Sequence, residues 1–144
     1  MIALRDRIVL IATLCAAALP ASSATVQVEV DGIEPGAGRV RVALCQGGLS
    51  EAACARGDDG AAAAGRALFT FRDVAPGTYA VAAYQDSNGN GRLDRTGLGL
   101  PLEPYGFSGA VSRRARPDFA EAAFALREPG SALRVRLGRA LPQR

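Results

Sequence analysis

Apolar and polar residues alternate with a period of two in five separate stretches of the chain. Such alternation is typical of strands that bury one face and expose the other. The apolar positions in these stretches are Val26, Val28 and Val30; Val40, Val42 and Leu44; Phe69 and Phe71; Tyr79, Val81 and Ala83; and Leu133, Val135 and Leu137. Turn-forming residues separate the stretches, so the pattern predicts an all-β domain, an antiparallel β-sandwich of about seven strands.

Two segments depart from this alternation. Residues 50–66 are rich in alanine, glycine and aspartate and have no clear period, which predicts a mobile surface excursion. After Pro117, Asp118 can cap free backbone N–H groups and Glu121 follows three residues later. This is the spacing of a capping box, so one short helical turn is predicted there.

The first 24 residues have the pattern of a secretory signal peptide. Arg5 and Arg7 precede an apolar run over residues 8–19, and small residues lead up to Ala24. The apolar run is shorter than the roughly 20 residues that a membrane-spanning helix needs. We therefore expect a signal peptide over residues 1–24, a single domain over residues 25–144, and a periplasmic or secreted product that is not integral to the membrane.

Cys45 and Cys54 are the two cysteines of the predicted domain. In an oxidising compartment, two cysteines are expected to form one disulfide, which here would close a short loop. The alternative is a redox or metal-binding pair. Their spacing is not C-x-x-C, and the chain has no histidine to complete a metal site, so the structural bridge is favoured.

Composition narrows the chemistry further. The chain has no histidine and no tryptophan, and all of its basic side chains are arginine. Histidine acid–base chemistry, histidine-bound zinc or copper, and lysine Schiff-base catalysis are therefore excluded. The formal net charge of +3 is modest and does not indicate a nucleic-acid partner. No organic cofactor is indicated.

Oxygen-bearing side chains recur at every second position of residues 86–94. Read as a calcium loop, this segment offers the side chains of Asp86, Asn88, Asn90 and Asp94 and the carbonyl of Arg92. The glutamate that completes an EF-hand is missing, and calcium is the one metal that the pattern suggests. The alternative is a hairpin turn in which the Asp and Asn side chains accept hydrogen bonds from nearby backbone.

A second candidate surface follows in the long loop after this segment. Its residues are Glu103, Tyr105 and Phe107, of which Tyr105 and Phe107 could form an exposed platform for a sugar ring or a partner's side chain. The alternative is that the two rings close the end of the sandwich core. An enzyme would instead pair Glu103 with Asp86 or Asp94 as acid and base in glycoside cleavage.

Several separated motifs resemble, in order, the bacterial family called domain of unknown function 2141. They are the run over residues 74–81, Tyr84-Gln85-Asp86, the Asn-Gly-Asn-Gly loop with Leu93-Asp94, Gly99-Leu100-Pro101, Glu103, Tyr105-Gly106-Phe107-Ser108 and the segment over residues 119–124. The resemblance implies an exported β-sandwich similar to prealbumin-like and carboxypeptidase-regulatory-like modules. Gln85 departs from the family pattern, which leads us to expect histidine there.

These observations favour an exported, non-enzymatic binding or accessory module of the cell envelope, with an envelope glycan or protein as the class of partner. The alternative is a carboxylate-dependent hydrolase acting on glycans. One feature separates them, because the hydrolase needs Glu103 beside an aspartate in a concave pocket.

Overall fold

The computed structural model describes residues 21–36, 38–62, 65–109 and 117–141. Most of the predicted signal peptide lies outside these residues, and the first strand begins at Ala24, the last residue of that segment. The described chain forms two β-sheets and one short helix, so the predicted all-β class is confirmed. Within the described ranges, no helix is long and apolar enough to cross a membrane.

Eight strands and one helix follow one another along the chain. They are β1 (Ala24–Asp31), β2 (Arg39–Cys45), β3 (Arg56–Ala61), β4 (Arg66–Val74), β5 (Gly77–Asp86), β6 (Tyr105–Phe107), α1 (Phe119–Ala122), β7 (Phe124–Leu126) and β8 (Gly130–Arg136).

The strands form a three-stranded and a five-stranded sheet. The first has the order β4-β1-β8, and the second has the order β3-β2-β5-β6 with β7 also paired to β5. Strand β8 runs parallel to β1, with Val28 opposite Leu133, whereas the other strand pairs are antiparallel. The sandwich is thus mixed rather than wholly antiparallel, because the chain crosses from β7 on one sheet to the free edge of β1 on the other.

The main hydrophobic core lies between the two sheets. The alternating apolar residues of β1 and β2 supply much of it, together with the phenylalanines of β4. Val26, Val28, Val30 and Val40 are fully buried. The period of two therefore predicted the inward face of these strands correctly.

A second apolar cluster covers the outer face of the five-stranded sheet. Its buried members are Cys45, Ala80, Tyr105, Phe107 and Ala122. Partly buried side chains from residues 46–54, from the loop after β5 and from α1 pack against them. This face is consequently sheltered by loops, and the candidate site lies on it.

The prediction for residues 50–66 is wrong where β3 forms. Strand β3 pairs with β2 along its whole length, from Leu44 opposite Arg56 to Arg39 opposite Ala61. The side chains of β3 are nearly all exposed, so the strand is stabilised by backbone hydrogen bonds and its sequence has no apolar period.

The predicted helical turn is confirmed as α1, with Asp118 as its N-cap and the Asp118 N–H donating to the Glu121 carboxylate at 3.4 Å.

Candidate functional site

Residues 46–54 form the first wall of the candidate site, and the disulfide predicted between Cys45 and Cys54 is confirmed at its base. The Gln46 N–H donates to the Ala53 carbonyl at 2.9 Å, and the Cys54 N–H donates to the Ser50 carbonyl at 3.0 Å. Cys45 is fully buried in the outer cluster. The bridge and these turns therefore fix the wall against the end of β2.

We expect the Cys45→Ala/Cys54→Ala variant to lose on the order of 2 to 3 kcal/mol of unfolding free energy, because a short loop is no longer closed in the unfolded chain. The unfolding midpoint should fall by roughly 10 °C in a thermal scan. Dithiothreitol should lower the midpoint of the unchanged protein similarly and leave the variant unaffected. Equal midpoints for the variant and the oxidised protein would contradict this role.

The second wall begins at Asp86, the last residue of β5, whose side chain is fully buried. Its Oδ2 accepts hydrogen bonds from the Gly91 N–H at 2.8 Å and from Arg41 Nε at 3.0 Å, and its Oδ1 accepts one from the Asn90 N–H at 3.0 Å. Burial alone would raise the pKa of Asp86, but these donors outweigh it and hold the pKa below its ordinary value. Asp86 is therefore ionised, and its hydrogen bonds hold the backbone of Asn90 and Gly91 close to the end of β5.

The middle of the loop is held by its own polar side chains. Asp94 Oδ2 accepts hydrogen bonds from the amide groups of Asn88 and Asn90 at 2.7 and 2.8 Å, and these bonds lower the pKa of Asp94. Asn88 Oδ1 accepts from the Asn90 N–H at 3.2 Å, and Asn90 Oδ1 accepts from the Arg92 N–H at 3.0 Å. This is the local pairing of Asx-turns, as in the hairpin alternative.

Glu103 holds the two ends of the same loop through hydrogen bonds. Its Oε1 accepts from the Ser87 N–H at 2.7 Å, its Oε2 accepts from the Asp94 N–H at 3.1 Å, and the residue is 6% exposed. Glu103 is therefore a structural acceptor with little exposed area, and its role on a binding surface stays a prediction. A hydrolase would need this carboxylate in a concave pocket beside an aspartate, and Glu103, Asp86 and Asp94 are not among the residues that line the cleft described below.

Calcium binding at residues 86–94 stays a prediction. The structure engages the side-chain oxygens of Asp86, Asn88, Asn90 and Asp94 in hydrogen bonds within the protein. In the described ranges, no group of three or more Asp, Glu, Cys or His side chains is placed to hold a metal ion. A cation would have to replace the N–H donors that now fill these acceptors.

Tyr105 and Phe107 do not form the exposed platform that we considered for them. They are 2% and 8% exposed, and their ring centroids are 6.1 Å apart in an edge-on arrangement. Because β6 adds to the edge of β5, both side chains point into the outer cluster under the loops. The alternative is right about their burial, but the rings belong to the outer cluster and not to the core between the sheets.

Gln85 is also a structural residue. It is fully buried; its Oε1 accepts from the Glu34 N–H and its Nε2 donates to the Glu34 carbonyl, both at 2.8 Å. The amide thus pairs with the backbone of the connection between β1 and β2. The departure from the expected histidine falls at this buried pairing, and Gln85 is not among the cleft-lining residues.

Between the two walls lies a cleft of about 390 Å³. Its floor consists of outward-facing residues on the three neighbouring strands β2, β5 and β6. Ala82 of β5 pairs with Ala43 of β2 on one side and with Phe107 of β6 on the other. The next row is Arg41, Tyr84 and Tyr105. The cleft exists because the two central side chains of the floor are alanines, whereas the side chains around them are large.

The walls of the cleft differ in chemistry. Residues 46–54 contribute Leu49, Glu51 and Cys54, and the loop after β5 contributes Gly91, Arg92, Leu93 and Arg95. Burial raises the pKa of the Tyr84 phenol, so its hydroxyl is neutral over the physiological range and available as a donor or acceptor. Apolar area with a few polar groups at the rim is the usual make-up of a small-molecule site, and the volume falls in the range of roughly 300 to 1,000 Å³.

Sequence reasoning missed most of this cleft. It considered Asp86 to Asp94 as a ligand site, but the structure uses that segment to support Arg92, Leu93 and Arg95, which face the cleft. The available signal was alanine at positions 43, 80 and 82, on the faces of β2 and β5 that the pattern assigned to solvent. Small apolar residues on such a face indicate that something covers it.

Comparison with known proteins gives a family match. A family model described as an uncharacterized protein conserved in bacteria (DUF2141) matches residues 28–133 of the chain. This range includes the floor and both walls of the cleft. No curated protein and no solved structure matches the chain.

Proposed function

Since this chain belongs to the DUF2141 family of uncharacterized bacterial proteins, we propose a function from its own site: an exported, non-enzymatic binding module of the cell envelope. The cleft between residues 46–54 and the loop after β5 is its ligand site. The observation that carries the proposal is the hollow over Ala43 and Ala82, which is large enough for a small ligand and has ordered walls on both sides.

The Cys45–Cys54 disulfide supports the proposed location. Disulfides persist in the periplasm and outside the cell and are rare in the cytoplasm. The signal peptide predicted over residues 1–24 supports the same compartment. We therefore propose that the protein acts in the periplasm or after secretion.

The rigidity of the cleft supports binding as its function. One wall is closed by a disulfide. The other is held by Glu103, which accepts backbone N–H groups at both ends of the loop, and by Asp86, which accepts those of Asn90 and Gly91. A preformed site loses little conformational entropy when a ligand enters. The arrangement suits recognition of a ligand better than chemistry on it, because the carboxylates that a glycan hydrolase needs are used as structural acceptors.

The proposal is tested by filling the cleft. In the Ala43→Leu/Ala82→Leu variant, two larger side chains occupy the hollow without entering the core between the sheets. We expect the affinity for a neutral apolar probe, N-phenyl-1-naphthylamine, to fall at least about tenfold in a fluorescence titration, because the apolar area that the probe would bury is already covered.

The matched control is Ala132→Leu, which adds the same side chain to an exposed position on the outer face of the three-stranded sheet. It should leave probe binding unchanged, and circular dichroism should show both variants folded. Undiminished probe binding by the filled variant, or no binding by the unchanged protein, would contradict the proposal.

A further inference from the structure

We infer that the ligand of the cleft is a small amphiphilic anion, in which an apolar body carries one carboxylate, phosphate or sulfonate group. The inference rests on the proposed function and adds the chemical class of the ligand. Its basis is the uneven distribution of charge around the cleft, where arginine side chains lie on one side and an acidic side chain on the other.

Arg41, Arg92 and Arg95 line the cleft, but their charges are compensated to different degrees. Arg41 Nε lies 3.0 Å from the fully buried carboxylate of Asp86, so its charge is neutralised inside the protein. Arg92 Nε lies 3.5 Å from Asp94 Oδ1, and the Arg92 side chain is 73% exposed. An ion pair this exposed is weak because water screens it, so Arg92 can turn to another anion at little cost.

Arg95 is the cation best placed for a ligand. Its Nη1 donates to the Gly99 carbonyl at 2.9 Å, which holds the side chain in position without neutralising it. Among the described residues, no carboxylate forms an ion pair with Arg95. Burial raises the pKa of Tyr105, and the positive charge of Arg95 opposes that rise. The electrostatic field of Arg95 therefore reaches Tyr105, whose side chain lines the cleft.

Glu51 on the opposite wall gives the ligand an orientation. Its negative charge disfavours an anionic group on the side of residues 46–54 and leaves the side of Arg92 and Arg95 as the place for it. The guanidinium groups can there donate paired hydrogen bonds to an oxyanion. The apolar body would then lie over Ala43 and Ala82 and against Tyr84.

Two probes with the same aromatic body separate this inference from the proposed function. N-phenyl-1-naphthylamine is neutral, and 8-anilinonaphthalene-1-sulfonate carries one sulfonate. We expect the sulfonate probe to bind the unchanged protein about tenfold more tightly than the neutral probe. The Arg92→Gln/Arg95→Gln variant should lose this advantage, so that the ratio of its affinities for the two probes falls to about one.

The control Arg66→Gln/Arg72→Gln removes the same net charge from β4 on the other sheet and should leave both affinities unchanged. In the unchanged protein, added salt should weaken only the sulfonate probe, which tests the inference without any substitution. Equal affinity for the two probes, an unaltered sulfonate affinity in the Arg92/Arg95 variant, or an equal loss in the control would overturn the anionic assignment while leaving the cleft as a binding site. Absence of binding by both probes would overturn the proposed function itself.

Discussion

Replacing Gly38 with alanine is expected to lower the free energy of unfolding by about 4 kcal/mol. Gly38 lies directly before β2 with φ of +69°, and a Cβ atom there would be 1.8 Å from the Asp86 carbonyl oxygen. Overpacking against a neighbour costs about 1 to 3 kcal/mol, and a side chain at positive φ adds a comparable amount. The obstacle is backbone, so no side-chain rotation relieves it.

The matched control for Gly38 is Gly36→Ala in the same connection. Gly36 also has positive φ, at +81°, but nothing lies within 4 Å of the position that a Cβ atom would take there. The Gly36→Ala variant should therefore lose only about 1 kcal/mol of unfolding free energy, because only the backbone conformation is strained. Urea denaturation of the two variants measures the difference. Equal losses would show that the close approach of Gly38 to Asp86 does not exist in solution.

The second large effect is expected for Asp86→Ala, which should cost about 3 to 5 kcal/mol of unfolding free energy. The substitution removes the acceptor of three hydrogen bonds and leaves Arg41 without its carboxylate. Two of the donors are backbone N–H groups at Asn90 and Gly91, and they lose the partner that closes the loop. The unfolding midpoint should drop by more than about 10 °C.

Acid provides an independent test of the same carboxylate. The pKa of Asp86 in the folded protein lies below its ordinary value, so the ionised form contributes stability that is complete above about pH 4 and is lost as the pH falls through the lowered pKa. The difference in stability between the unchanged protein and Asp86→Ala should accordingly shrink below about pH 4. A difference that stays constant down to about pH 2 would contradict this assignment.

Asp94→Ala is the matched control in the same loop. Asp94 accepts from the side-chain amides of Asn88 and Asn90, which are exposed and can turn to water, so Asp94→Ala should lose much less unfolding free energy than Asp86→Ala. The same thermal scans, repeated with millimolar calcium and with a chelator, test the calcium prediction. An ion at 100 times its dissociation constant would add about 2.7 kcal/mol. A rise of this size that is absent from Asp94→Ala would support calcium binding at residues 86–94, and no rise in the unchanged protein would contradict it.

The sequence pattern identified the strands that bury one face and missed those that do not. Strands β1, β2 and β5 carry apolar side chains at every second position and were predicted from that period. Strand β3 is held by backbone pairing to β2 and exposes nearly all its side chains, so no pattern of burial could mark it. The parallel pairing of β8 with β1 depends on which edge is free, and that is a property of the assembled sheets.

The candidate site was harder to predict, because its parts come together only when loops cover the outer face of a sheet. The spacing of Asp86 and Asp94 is compatible with a metal site and with an Asx-turn, and the N–H groups that Asp86 accepts come into reach only when the loop has folded. The burial of Tyr105 and Phe107 depends on β6 joining the edge of β5, which lies well before it in the chain.

Ligand binding in the cleft can be located by a two-dimensional NMR titration of the ¹⁵N-labelled protein with N-phenyl-1-naphthylamine. Amide shift changes should cluster on residues 41–43, 82–84, 91–95 and 105–107, which supply the floor and one wall. Changes centred instead on the outer face of the three-stranded sheet, at Gln27, Leu68 and Ala132, or no changes at all, would contradict it.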